Sequence, residues 1–196
     1  MVPKYPVVLA SASPRRQELL KQLFSEFEVI PADLDEDALT VKDPWETAKR
    51  LALAKAKAVA VQRPDALVIG SDTVVALPSF ESTIQLAKPE DAQDAVRMLA
   101  ALSGKSHWVI TGVALLSPDF EMVEADETSV TFRDLEQSEI EEYVATGEPM
   151  DKAGAYAIQG GAAGFVANTK GSLSNVIGLP LEQVQRMLKN AGFEPS

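Results

Sequence analysis

Cysteine is absent from this 196-residue chain, and histidine occurs once, at His107. Those scarcities exclude disulfides, thiolate nucleophiles and the Cys/His cage of a zinc site. A Ser-His-Asp relay would have to use His107, and no G-x-S-x-G elbow accompanies it. A structural place for His107, near Trp108, is the expectation. No apolar run reaches the length of a membrane span, and the N-terminal residues lack a signal-peptide pattern. A cytoplasmic protein without membrane contact is therefore expected. Basic residues are also short: 18 Lys and Arg face 29 Asp and Glu, for a formal net charge of −11. Long nucleic acid needs a wide basic surface and is excluded as a partner. A small phosphorylated ligand is not, because a few cations converging locally suffice.

What is present has the proportions of a globular chain, 46% hydrophobic and 24% charged, with no internal repeat or low-complexity linker. Strand and helix patterns interleave. Residues 5–10 read as a strand and 13–24 as a helix, with Leu19, Leu20 and Leu23 on one side. Residues 28–31 look extended. A second helix opens at Asp43-Pro44-Trp45-Glu46, with Asp43 as N-cap and Glu46 spaced for a capping box, and runs to about residue 62. Residues 66–71 form an apolar strand that residues 73–77 either continue or turn back from. A helix over 89–102, long strands over 107–116 and 122–132, and a short acidic helix over 137–145 follow. Residues 147–164 read as a Gly- and Ala-rich loop, 165–176 as a hairpin turning at Lys170-Gly171, and 180–190 as a terminal helix. The expected fold is α/β: one domain over 1–196, with a mixed twisted sheet and flanking helices.

Four places carry chemistry. In Ser11-Ala12-Ser13-Pro14-Arg15-Arg16 a strand turns into a helix, with Ser13 as cap and Pro14 at the first helical position. Two hydroxyls and two guanidinium groups share that helix start, where phosphate is favoured; an ordinary capped helix would look the same. Asp72 interrupts the apolar run of residues 67–77, as a costly site carboxylate or as a turn residue. Lys55 sits at the centre of the stripe Ala48, Leu51, Ala52, Val59, pointing at an anion or snorkelling out; its removal is expected to be neutral or stabilising. The loop at 33–37 holds Asp33, Asp35, Glu36 and Asp37, a solvated run or a source of one or two hard ligands for Mg²⁺. Lys88-Pro89 and Glu148-Pro149-Met150-Asp151-Lys152-Ala153-Gly154 add further charges at element ends. Gly104-Lys105-Ser106 imitates the end of a P-loop, but Leu99 stands where its first glycine belongs and a helix precedes it.

Taken in order, these motifs, with Ala54-Lys55-Ala56, Gly70-Ser71-Asp72-Thr73, Leu102-Ser103-Gly104, the run from Glu148 to Gly160 and Val176-Ile177-Gly178-Leu179-Pro180-Leu181, resemble the Maf family over nearly the whole chain. The resemblance implies a bilobal, ITPase-like α/β fold with two lobes around one central cleft. It implies an enzyme that cuts a nucleoside triphosphate between the α and β phosphates, releasing monophosphate and pyrophosphate, with a divalent cation (Mg²⁺ or Mn²⁺) as cofactor. It assigns the proton acceptor to Asp72, with Lys55 also catalytic, and the metal ligands to Glu36 and Asp72. Substrate contacts fall to Ser11, Arg15, Arg16, Thr73, Lys88, Asp151, Lys152 and Gln159. The set Arg15, Thr73 and Gln159 is similar to the dTTP/UTP branch, and the 7-methyl-GTP branch carries other residues there. Two departures stand out: Ala87 replaces the usual Gly before Lys88-Pro89, and the hairpin at 78–86 lacks an Asp-Gly turn. A nucleotide-binding regulator of septum formation and a pyrophosphatase for modified nucleotides are the alternatives, and homodimerisation is left open. The Asp72 carboxylate favours an enzyme, since a sensor needs no group to activate water.

Overall fold

The triplet Val7-Val8-Leu9 forms a short strand, β1 (Val7–Leu9), buried along its whole length as expected of a parallel strand covered on both faces. A computed structural model of the chain describes residues 4–80 and 82–193. Ser13 then caps α1 (Pro14–Leu20), its hydroxyl accepting from the Arg16 amide. The helix is shorter than its apolar pattern suggests. It ends in tight turns that still bury Leu23 and Phe24. After β2 (Glu28–Val29) and a 3₁₀ turn at Asp37–Leu39, α2 (Pro44–Ala60) begins at the Asp43 cap, whose carboxylate accepts from the Trp45 and Glu46 amides. Glu46 itself pairs with Lys49 on the helix surface. Asp72 is not a turn residue, because β3 (Leu67–Pro78) runs unbroken through it.

The remaining elements are β4 (Thr83–Leu86), α3 (Ala92–Leu102), β5 (Ser106–Leu116), β6 (Glu121–Phe132), α4 (Gln137–Ala145), β7 (Val166–Lys170), α5 (Leu173–Ile177) and α6 (Leu181–Asn190). Three 3₁₀ turns, Glu148–Asp151, Ala153–Ala155 and Gly161–Phe165, fill the segment expected as loop. The hairpin expected over 165–176 does not form. β7 pairs antiparallel with the distant β6, and after Gly171 the Ser172 hydroxyl accepts from the Asn175 amide at the start of α5. Of the segment between β3 and β4, Glu81 lies outside the described residues.

The chain divides into two compact units. The first comprises Met1–Asp72, Thr111–Asp126 and Gly178–Ser196. Its strands follow the order β2-β1-β3-β5-β6, with β1 parallel to both β2 and β3. Val8, Val68, Ala114 and Leu116 pack with Ala52, Ala56 and Val59 of α2. The helix lies very close to the sheet because the facing positions are glycine. A Cβ on Gly70 would stand 2.2 Å from the Ala52 carbonyl oxygen, and one on Gly112 would stand 2.2 Å from that of Ala48. Gly70→Ala is therefore expected to cost about 3 kcal/mol, since its methyl meets rigid helix backbone rather than a yielding side chain. Urea denaturation measures this; an unchanged midpoint would show that α2 can back away freely.

The second unit comprises Thr73–Ile110 and Glu127–Ile177. Here β4 pairs antiparallel with β3, and α3 and α4 cover a core of Val75, Leu99, Leu102, Val130, Phe132 and Phe165. His107 lies in this core. Its neighbours are the rings of Phe132 and Tyr156 rather than Trp108, and its Nε2 is 2.8 Å from the Tyr156 hydroxyl. No hydrogen-bond partner reaches its Nδ1 among the described residues. Burial pushes the imidazole down to about 4 from an ordinary 6.5. Between those values the unfolded chain binds a proton that the folded chain refuses. Stability is thus retained above pH 6.5 and falls as the pH drops toward 4, by roughly 3 kcal/mol at about 1.4 kcal/mol per pH unit. Denaturant midpoints followed across that range in the parent and in His107→Gln check this. Parallel curves would assign the acid loss to other groups.

Candidate active site

The strand order β2-β1-β3 creates a switch point. The chain leaves β1 through α1 toward one neighbour and returns through α2 to the other, and α/β sheets bind ligands beyond the carboxyl ends of strands at such places. The register Leu9↔Ile69, continued by the Ala10 amide donating to the Ile69 carbonyl, makes Ser11 and residues 70–72 emerge side by side. The glycine-backed approach of α2 then brings Lys55 to the same end.

Lys55 does not snorkel. It is 9% exposed, and its Nζ lies 2.5 Å from Asp72 Oδ1 and 2.8 Å from Glu36 Oε1. Asp72 is similarly buried, whereas Glu36 is half-exposed. This charge cluster answers the cost of placing Asp72 within an apolar strand, because each buried charge has an opposite partner. Arg16 lies in its field. Burial pulls its guanidinium pKa down, while Asp72 and Glu36 oppose that and Arg15 adds to it. Arg16 Nε donates to the Gly178 carbonyl at 2.8 Å, and Nη1 donates to Ser11 Oγ at 3.3 Å. Ser71 Oγ donates to the same Gly178 carbonyl at 2.9 Å. The first unit thus gathers Ser11, Arg15, Arg16, Glu36, Lys55 and Asp72. With α1 only seven residues long and its Arg16 amide taken by Ser13, the positive charge comes from side chains rather than from the helix end.

Glu36 and Asp72 suit a hard divalent cation. Two carboxylates already converge on one ammonium charge, and Mg²⁺ prefers a few such oxygens with water and phosphate completing its shell. No group of three or more Asp, Glu or His side chains forms a ready-made cage among the described residues.

The other sequence candidates belong to the second unit. Thr73 is half-buried in β3, and Lys88 and Gln159 are exposed. Asp151 and Lys152 form an ion pair with each other. The Gly154 amide donates to the Ala87 carbonyl at 3.1 Å, which seats the turn carrying Lys152 beside the chain that leads to Lys88. Ala87 is itself exposed, and Ala155 is the one non-glycine residue with positive φ among those described, so alanine fits at position 87 without strain. Sequence reasoning named Gly178 and Gly70 within motifs but missed what they do: the Gly178 carbonyl ties Arg16 across 162 residues of chain, and Gly70, with Gly112, lets α2 lie close to the sheet. Their only local signal is a glycine where a side chain would be expected.

A family model described as Maf-like protein matches residues 6–191. A protein of Symbiobacterium thermophilum named dTTP/UTP pyrophosphatase is 49% identical over 187 residues, covering 95% of this chain and 94% of its own. One of the same name from Moorella thermoacetica is 49% identical over 190 residues, covering 96% of each chain. Among solved structures, the Ham1 protein of Staphylococcus aureus matches with a TM-score of 0.54 at 15% identity, covering 95% of this chain and 99% of its own. A HAM1 protein from Coxiella burnetii gives 0.51 at 16% identity, with the same coverage. At such identities these two matches establish a common α/β fold and nothing finer.

Proposed function

The chain belongs to the Maf family, and from that membership we propose that it hydrolyses dTTP and UTP to the monophosphate and pyrophosphate. The observation that carries the chemistry is Lys55 Nζ held at 2.5 Å by Asp72 and at 2.8 Å by Glu36 beyond the end of β1. Cleaving a phosphoanhydride requires charge neutralisation and an in-line water, with little covalent work by the protein. Asp72 orients the water and accepts its proton as the water oxygen bonds to the α phosphorus and pyrophosphate departs. Lys55, Arg15 and Arg16 neutralise phosphate oxygens, and Ser11 holds Arg16 in place. Lys88 and Lys152 supply further cations, with Asp151 steadying Lys152. Glu36 and Asp72 would hold Mg²⁺ or Mn²⁺, which when bound supplies Lewis-acid neutralisation of the phosphate oxygens. Gln159 and Thr73 read the base, the amide of Gln159 offering both a donor and an acceptor to a pyrimidine edge. The relatives named for dTTP and UTP, nearly half identical over almost their full length, support this substrate choice.

Product analysis across a nucleotide panel, with Mg²⁺, with Mn²⁺ and without metal, tests the proposal. Pyrophosphate release from dTTP and UTP is expected. Orthophosphate as the product, or preference for 7-methyl-GTP, would overturn it.

A further inference from the structure

Gln159 is followed by two glycines, Gly160 and Gly161, the residue type with the most backbone freedom to lose. An exposed amide on such a segment would wander, yet a reader of base edges must be held to within a fraction of an ångström. Two side chains hold this one from either side. Tyr143 Oη accepts from the buried Ala157 amide at 3.1 Å, and Glu148 Oε2 accepts from the Gly161 amide at 2.9 Å. The glycines permit both contacts. A Cβ on Gly160 would fall 2.1 Å from Glu148 Oε1, and one on Gly161 would fall 2.9 Å from the Tyr143 ring. Glu148 is itself anchored, its amide donating to Thr146 Oγ1 and that hydroxyl donating to the Tyr143 carbonyl. All of these groups lie within the second unit.

We propose that Glu148 is a positioning residue for nucleotide selection, its carboxylate pinning residues 157–161 together with Tyr143 so that Gln159 is presented from a fixed backbone. This rests on the reading of Gln159 as the group that meets the base. The anionic acceptor matters because a charge-assisted hydrogen bond is roughly twice as strong as a neutral one.

The experiment compares Glu148→Ala, Glu148→Gln, Tyr143→Phe and Gln159→Ala with the parent, measuring kcat and KM for dTTP, UTP, dCTP and dGTP and melting each protein. Glu148→Ala is expected to raise KM for dTTP and to shrink the dTTP/dCTP ratio of kcat/KM by about tenfold, with kcat changing less than threefold, as loss of a binding-orientation contact should. Glu148→Gln, which keeps a carbonyl acceptor but loses the charge, restores only part of the ratio. Tyr143→Phe keeps the ring, removes the hydroxyl that accepts from Ala157, and shifts the ratio in the same direction. That variant decides the matter should Glu148→Ala fail to fold. If Gln159→Ala collapses the ratio while Glu148→Ala and Tyr143→Phe leave it intact, or slow all nucleotides equally, positioning by Glu148 is overturned and the base-reading role of Gln159 stands. If Gln159→Ala leaves the ratio unchanged, it is the base-reading role that falls, and this inference falls with it.

Discussion

Asp72→Asn is expected to lower kcat by a factor on the order of 10² or more, the usual worth of a general base, while the protein stays folded. Asparagine has the same shape, so β3 keeps its course, and its amide carries no charge with which to take a proton from water. Lys55 is not stranded, because Glu36 remains 2.8 Å from its Nζ. Glu36 is half-exposed, so the surviving pair relaxes toward solvent more readily than a buried one would. Steady-state pyrophosphate release and thermal melting on the same preparation are the measurements. A folded variant with near-normal kcat would move the proton acceptor elsewhere.

Lys55→Met is expected to lose both activity and stability. Viewed only as a polar interruption of an apolar stripe, Lys55 appears costly, and its removal is expected to help. The structure reverses that expectation. Methionine would pack against Leu51 and Val59, but it would leave Asp72 and Glu36 aimed at each other without the ammonium that both bind. Breaking a buried pair by deleting one partner typically costs about 3 kcal/mol or more, because the remaining charge stays desolvated. A divalent cation bound between the two carboxylates would relieve that repulsion and stabilise the folded state by mass action. The variant should therefore melt well below the parent in EDTA and recover with Mg²⁺ or Mn²⁺. Without the lysine to neutralise phosphate oxygens, kcat/KM should still fall even in saturating metal. An unchanged melting temperature in EDTA would mean that Lys55 bears little of the carboxylates' charge, and recovered activity would remove it from the reaction.

By itself the sequence determined much of what is set within about four residues. Ser13 and Asp43 cap the helices they precede, α4 occupies the very residues that its pattern marks, and the face Ala48, Leu51, Ala52, Lys55, Val59 is the buried face of α2. Helical periodicity and caps are local, because a hydrogen bond from an amide to the carbonyl four residues back knows only its neighbours. The ordered motifs likewise carried the family and the set of candidate side chains. What those side chains do to one another was decided by contacts between distant parts of the chain. Whether Asp72 turns or continues a strand depends on β1 and β4 flanking β3, which no window around residue 72 contains. Whether Lys55 faces solvent or a carboxylate depends on Gly70 and Gly112 letting α2 lie against the sheet. The strand over 166–170 forms against β6 rather than folding back on its own sequence, because backbone pairing rewards the available edge and not the nearest residues. The ties from Arg16 to Gly178 and from Glu148 to Gly161 are side chain to backbone, and backbone groups are the same at every residue. They leave no mark in the sequence beyond a glycine, and only the folded chain decides which carbonyl or amide each side chain meets.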